Sequence, residues 1–482
     1  MNSIKKNFIF NVIKSIAPMV FAVISYAYAS RILDVEMVGR VQYATSIISY
    51  FALFAALGIS LYAAREGSKY VGNRQMLSKH FQEMFLINLI STGIVYVVLF
   101  LTLAVNLFDA PQVLMLICGL NILFTTLSIE WLYQIVEDFQ FISVCAIIVQ
   151  FIAMIILLIG VKHPSDYNLY ALTTVLSTSG SFLFNLIYAK KYVDFKVTLK
   201  LSLRKHIKPI LIIFGIGVAS SIYLNLDMVM IKWIQNEYAV GLYTTAVKLN
   251  NLVKALISAI SLVALPRLSY FLAKGEKENY HKLLKYGINL NLGLAIPCAT
   301  GLFLLSREII LLYSGVNYLD ATVASQILSL NVAFSAIDGL LYYQVLIPHK
   351  KEIMACIGTA VGAVTNLILN ALLIPVYGIN GAALATLLSE ASVFLMFVIL
   401  LRKTIPLKEM FAETWKYIVA SIGIILVVLG FKLIISNNII LLLVCIPIAA
   451  IVYFIILLAV RNSLAKDLLQ DAKNIIVNIL HF

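Results

Sequence analysis

Eight ionisable side chains stand inside long apolar runs of this chain: Lys14, Glu130, Asp227, Lys232, Lys248, Lys254, Asp338 and Glu390. In hydrocarbon such a group costs about 2.5 kcal/mol or more unless it faces protein or water, so each needs a partner or a use. Lysines there can hold an anionic ligand, and carboxylates can exchange a proton or Na⁺. Lys232 lies near the end of its run and is expected to snorkel to the surface without a role. Lys14 is about two turns into its run, where snorkelling and lining a cavity are equally open. Lys254 falls near the middle of its run and reaches neither surface, which places it beside water. Asp227 and Asp338 are the expected ion-coupling carboxylates; the competing reading pairs them with Lys248 or Lys254 as structural counterions.

Polar residues share helical faces around these charges. Asn331, Ser335 and Asp338 recur at i+4 and i+3, as do Asn121, Thr125 and Ser128. Thr359, Gly362, Asn366 and Asn370 form a third stripe, and Asn251, Lys254, Ser258 and Ser261 a fourth. One such stripe serves helix packing. Several, with lysines among them, point to an aqueous central cavity.

Other chemistry finds no footing. The sequence has no phosphate-cradling glycine loop, no GxSxG, no HExxH and no His/Cys cluster of metal-ligand spacing. His80, His163, His206, His281, His349 and His481 fall in loops, helix ends or the tail and are expected to be solvated. Cys118, Cys145, Cys298, Cys356 and Cys445 lie in apolar runs and read as small buried residues, without disulfides. Glu137-Asp138 is the compact acidic pair that a membrane-embedded glycosyltransferase or polymerase would need. No enzyme, cofactor or metal is expected.

The elements that must position these residues follow from composition. Of 482 residues 62% are apolar and 12% charged; soluble chains carry about 25% charged residues. At about 20 residues per crossing, the runs give about 14 transmembrane helices. They lie near 8–30, 41–63, 84–105, 112–133, 140–161, 169–189, 209–233, 240–265, 284–305, 321–345, 353–374, 382–401, 415–435 and 439–460. With the N-terminus inside, the segments on the cytoplasmic face hold 27 of 36 Lys and Arg, so both termini are expected to be cytoplasmic. The net charge of +13 is then a topology signal rather than a nucleic-acid surface.

The basic run 190–208 reads as a cytoplasmic linker between an N-terminal six-helix lobe, 1–189, and a C-terminal one, 209–401. Residues 402–482 add two helices and a tail whose Leu464, Leu468, Ala472, Ile475, Ile476 and Ile479 share one face, as in a helix on the membrane surface. Val38-Gly39 with Tyr43, and Val240-Gly241 with Tyr243, precede the second and eighth crossings at an offset of 202 residues. The repeat implies two lobes of the same orientation. The expected fold is an all-α polytopic membrane protein.

Within that frame Ser30-Arg31-Ile32-Leu33, Gly39, Tyr43-Ala44, Leu57-Gly58-Ile59 and Arg65-Glu66 resemble the N-terminal signature of bacterial polysaccharide repeat-unit flippases. These belong to the multidrug/oligosaccharidyl-lipid/polysaccharide exporter superfamily. Val240-Gly241-Leu242-Tyr243, Leu265-Pro266-Arg267-Leu268-Ser269 and Asn366-Leu367-Ile368-Leu369-Asn370 extend the resemblance. Its most specific part runs from Ile374-Pro375-Val376-Tyr377-Gly378 through Ile379-Asn380-Gly381-Ala382-Ala383 to Thr386. Asp34 departs from the usual glycine and adds a carboxylate beside Arg31.

The resemblance implies a transporter that carries undecaprenyl-pyrophosphate-linked oligosaccharides across the bacterial cytoplasmic (inner) membrane for O-antigen, capsule or exopolysaccharide synthesis. It implies alternating access around a cationic central cavity, with membrane lipid and the polysaccharide polymerase machinery as neighbours. Lys14, Arg31, Lys248 and Lys254 are then the expected contacts of the pyrophosphate, and Asp227 and Asp338 the coupling groups. The alternative within the superfamily is an ion-coupled drug or cation antiporter. Those often carry a carboxylate in the first crossing, and residues 8–30 contain none.

Overall fold

The computed structural model describes residues 20–196, 200–402 and 404–470, with side chains outside 216–224, 259–266 and 352. Ten helices among the described residues are long and apolar enough to cross a membrane. One of them, Glu352–Leu401, would rise about 75 Å if straight, so it is two crossings joined. Val20–Ile32, Arg204–Ile234 and Glu237–Ala273 occupy the first, seventh and eighth expected crossings. The chain is an all-α, multi-pass membrane protein of about 14 helices. It divides into two compact units, Met1–Gly241 and Leu242–Phe482.

The first unit contains α1 (Val20–Ile32), α2 (Val35–Ala56), α3 (Ile59–Gly67), α4 (Arg74–Ala104), α5 (Gln112–Leu127), α6 (Glu130–Ile135), α7 (Gln140–Gly160), α8 (Tyr167–Ser179), α9 (Phe182–Tyr188) and α10 (Arg204–Ile234). Two crossings are broken rather than straight. Leu57 and Gly58 take positive φ between α2 and α3, and Ile129 does so between α5 and α6. The breaks swing α3 against α6 and close a core of Tyr62, Phe81, Met84, Trp131 and Tyr133. Positive φ at leucine or isoleucine costs about 1–3 kcal/mol, which this packing offsets. α10 packs on α2 and α3.

The repeat has a structural counterpart here. A β-carbon on Gly39 would collide with the Glu237 carbonyl, and one on Gly241 with the Val35 carbonyl. These contacts are reciprocal at the 202-residue offset.

The second unit holds most of α11 (Glu237–Ala273), then α12 (Lys277–Tyr313), α13 (Thr322–Leu340), α14 (Glu352–Leu401), α15 (Leu407–Met410), α16 (Thr414–Ile434) and α17 (Asn438–Ala459). α12 packs on α13, α16 and α17, and α13 on α14. The chain reverses inside α14 at Gly378, where φ is 56° and ψ −134°. A side chain at Gly381 would strike the Leu373 carbonyl. The most specific part of the sequence resemblance is therefore a tight helical turn that two glycines make possible.

Candidate functional site

Three charged residues meet in the second unit. The Lys254 ammonium on α11 lies 3.4 Å from Glu390 Oε1 on α14. Ser335 on α13 donates to the same oxygen at 3.2 Å. Asp338, one turn further along α13, is 6% exposed and has Glu390 and Lys254 as charged neighbours. Neither of its oxygens meets a hydrogen-bond donor. One cation thus serves two buried carboxylates, leaving a formal charge of −1 when all three are ionised. Unsatisfied buried polar atoms are uncommon and call for an explanation. The amide of Asn331, two turns earlier on the same face of α13, also has no partner.

Local packing positions the group. Ile257, one turn beyond Lys254, packs with Ala295 and Ala299 of α12 and Val332 and Ala336 of α13. Small alanines let the helices approach, and Ser335 and Asp338 follow from Val332 at i+3 and i+6. Lys254 keeps 20% of its side chain exposed. It can therefore be reached by a ligand, while Asp338 cannot easily be solvated.

The other expected site residues are placed as follows. Lys14 lies outside the described residues. Arg31 is exposed near the end of α1, and Lys248 is half-buried on α11. Asp227 is buried on α10 in the first unit, near the buried Tyr50 hydroxyl. Asp338, Lys254 and Lys248 belong to the second unit. Glu390 and Ser335 complete the charge cluster; spacing had marked Ser335 as part of a stripe and Glu390 only as an expensive charge.

Two histidines correct the sequence expectation. His80 and His206 are each 2% exposed rather than solvated. His206 Nε2 donates to Glu83 at 2.9 Å, leaving Nδ1 to accept the Tyr62 hydroxyl at 2.8 Å. Glu83 also takes the Ser202 amide at 2.7 Å and pairs with Lys205 at 3.2 Å. His80 donates to the Ala63 carbonyl at 3.0 Å. Arg74 forks onto Asp194 and reaches the Lys190 and Lys191 carbonyls. The described parts of the basic run 190–208 are thereby pinned to α4.

Lys232 also departs from its expected lack of a role. It pairs with Asp109 at 2.8 Å and with Glu237 at 3.5 Å. The Lys232 ammonium holds the Asp109 carboxyl below the usual carboxylate range. Glu237 in turn pairs with Arg40 at 2.6 Å, beside the Gly39–Gly241 contact. Asp138 is no free general acid or base: it accepts from Tyr192 and, at 3.0 Å, from Tyr188, and pairs with Lys191 at 3.3 Å. Burial acts to raise its carboxyl, but those hydrogen bonds win and hold it below the usual range. All five cysteines are free, and Cys298, expected to be buried, is exposed. Among the described residues no group of His, Cys, Asp and Glu could hold a metal ion.

The chain is 23% identical over 402 residues to a putative O-antigen transporter of Shigella dysenteriae, covering 82% of this chain and 99% of that one. It is 27% identical over 267 residues to a probable low-salt glycan biosynthesis flippase, Agl15, of Haloferax volcanii. That match spans 53% of this chain and only 55% of the relative. Among solved structures, the lipid II flippase MurJ in an inward closed conformation aligns over 96% of this chain and all of that one, with a TM-score of 0.75 at 17% identity. An inward-facing MATE-family multidrug resistance transporter aligns over 82% of this chain and 99% of its own, with a TM-score of 0.61 at 14% identity. At those identities the two structures establish a shared fold. Residues 4–272, more than half the chain, match the family model described as polysaccharide biosynthesis protein, and the chain belongs to that family.

Proposed function

We propose that this protein is a flippase for undecaprenyl-pyrophosphate-linked oligosaccharides in surface polysaccharide synthesis. It would work in the bacterial cytoplasmic membrane with both termini cytoplasmic, upstream of a polymerase. A pyrophosphate and its sugars cannot cross hydrocarbon without polar groups to replace their water. The polyprenyl chain needs no such help and stays in lipid. The family and the relatives' names support this reading over an antiporter, which would share the fold.

The observation that carries the mechanism is the cluster of Lys254, Glu390 and Asp338, in which two carboxylates share one reachable cation. When the pyrophosphate takes Lys254, Glu390 and Asp338 lose their counterion. A proton or Na⁺ entering between them returns the pair to the single negative charge it carried with Lys254, so substrate and cation are taken up together. Release of one weakens the hold on the other, as linkage requires. Lys254 would act as the anion contact and Asp338 as the coupling group; Arg31, Lys248 and Lys14 would supply further positive charge, and Asp227 would serve as a second coupling carboxylate.

The test is flipping of an undecaprenyl-pyrophosphate oligosaccharide in proteoliposomes. Wild-type protein should flip it, and Lys254→Ala should cut the rate per folded molecule at least tenfold, about 1.4 kcal/mol. Transport of a cationic drug but no lipid-linked sugar by the wild type would overturn the reading in favour of the antiporter.

A further inference from the structure

We propose that α12 and the segment after α17 form a binding site for an anionic glycerophospholipid, with its phosphate in a basic pocket and an acyl chain in an adjoining apolar groove. The site uses none of Lys254, Asp338 and Glu390, and the inference does not rest on the flippase reading.

One face of α12 lines both parts of the site. Asn279, Lys282, Lys285, Tyr286 and Asn289 line a pocket of about 540 Å³. The same face continues at i+3 and i+4 spacing through Leu290, Gly293, Leu294, Pro297 and Gly301, which line a groove of about 440 Å³. That face therefore changes from basic and polar to apolar between Asn289 and Leu290. Leu464 walls both cavities, so headgroup and chain spaces adjoin. Tyr453, Phe454 and Leu457 of α17 close the far side of the groove.

Charge selects the headgroup. Arg267 from α11 joins Lys282 and Lys285 in the pocket, opposite Glu413 and Asp467. Glu413 is already engaged by Lys416 at 3.3 Å, by the Asn462 amide at 2.7 Å and by the Ser463 backbone N–H at 3.0 Å. No ion pair within 4.0 Å involves Arg267, Lys282 or Lys285 among the described residues. With Lys416 the balance is four cations to two carboxylates, an excess that a lipid phosphate neutralises. Basic pockets between helices at the membrane surface favour such headgroups, and Tyr286 stands where interfacial aromatic residues belong. From Asn289 to Gly301 the helix rises about 18 Å, enough to traverse the roughly 15 Å of hydrocarbon in one leaflet. The groove's volume of about 440 Å³ suits a single acyl chain, whereas a polyprenyl chain is several times longer. A bound phospholipid would tie α16 and α17 to α12 through the segment 463–470.

The test is native mass spectrometry of the full chain titrated with phosphatidylglycerol, phosphatidylcholine or undecaprenyl diphosphate. Wild-type protein should retain phosphatidylglycerol in preference to phosphatidylcholine. Lys282→Ala with Lys285→Ala should weaken that retention about thirtyfold. Gly301→Leu, whose β-carbon would meet open space, should fill the groove and weaken it as well. The melting temperature without lipid should stay unchanged in both variants, and undecaprenyl diphosphate binding should stay at the wild-type level. Equal retention of phosphatidylglycerol by wild type and the lysine variant would overturn the proposal. So would a selective loss of undecaprenyl diphosphate, which would assign the pocket to that lipid instead.

Discussion

Glu83 in the first unit and Asp338 in the second are both buried carboxylates on membrane helices, yet their surroundings are opposite. Glu83 accepts from a backbone amide and a histidine and pairs with a lysine. Asp338 accepts from nothing and lies beside a second carboxylate. A fully satisfied buried charge fixes one arrangement, because every partner would be stranded if it moved. An unsatisfied one has affinity to spare for a small cation or a proton. The first site holds Ser202, Lys205 and His206 against α4, and the second, on the proposed function, is where a transport cycle would exchange charge.

Removing each carboxylate should expose that difference. Glu83→Ala should have the largest effect, about 2–4 kcal/mol of lost stability read as a lower melting temperature in detergent, because it strands the His206 Nε2–H and the Ser202 N–H. His206→Gln should follow at about 1–2 kcal/mol, since it strands both Glu83 and Tyr62. Lys254→Met leaves two carboxylates without their cation and should cost about 1–2 kcal/mol, moderated by the lysine's partial exposure. Adding Asp338→Asn to that variant should recover most of the loss. By itself Asp338→Asn should change stability by less than about 0.5 kcal/mol. A melting loss for Asp338→Asn as large as for Glu83→Ala would erase the contrast and make both sites structural.

The two sites were unequally legible in the sequence. Lys254, Asp338 and Glu390 stood out because charge is costly in an apolar run, and the i+4, i+3 spacing placed Ser335 and Asp338 on one face. Their meeting across α11, α13 and α14 was not readable, since it depends on packing around Ile257 and the alanines. His80, Glu83 and His206 were hidden for the opposite reason. They lie in charged stretches that read as solvated, and their burial comes from the broken helices at Leu57-Gly58 and at Ile129, of which only Gly58 is a turn signal. Lys232 was misread because a lysine at a helix end can snorkel, and only the fold brings Asp109 and Glu237 to it. The crossings themselves were legible from apolar length, and Gly378 and Gly381 marked the turn that joins two of them.

Gradient-dependent flipping by Asp338→Asn tests the central claim most directly. Proteoliposomes holding wild type or Asp338→Asn would be given a pH or a sodium gradient, and flipping of the lipid-linked oligosaccharide followed in each. Wild type should respond to one of the two gradients. Asp338→Asn should bind the substrate with unchanged affinity and flip it at a rate that neither gradient alters. A variant that keeps the wild-type response to the gradient would contradict the account, because Asp338 would then not be where the cation enters.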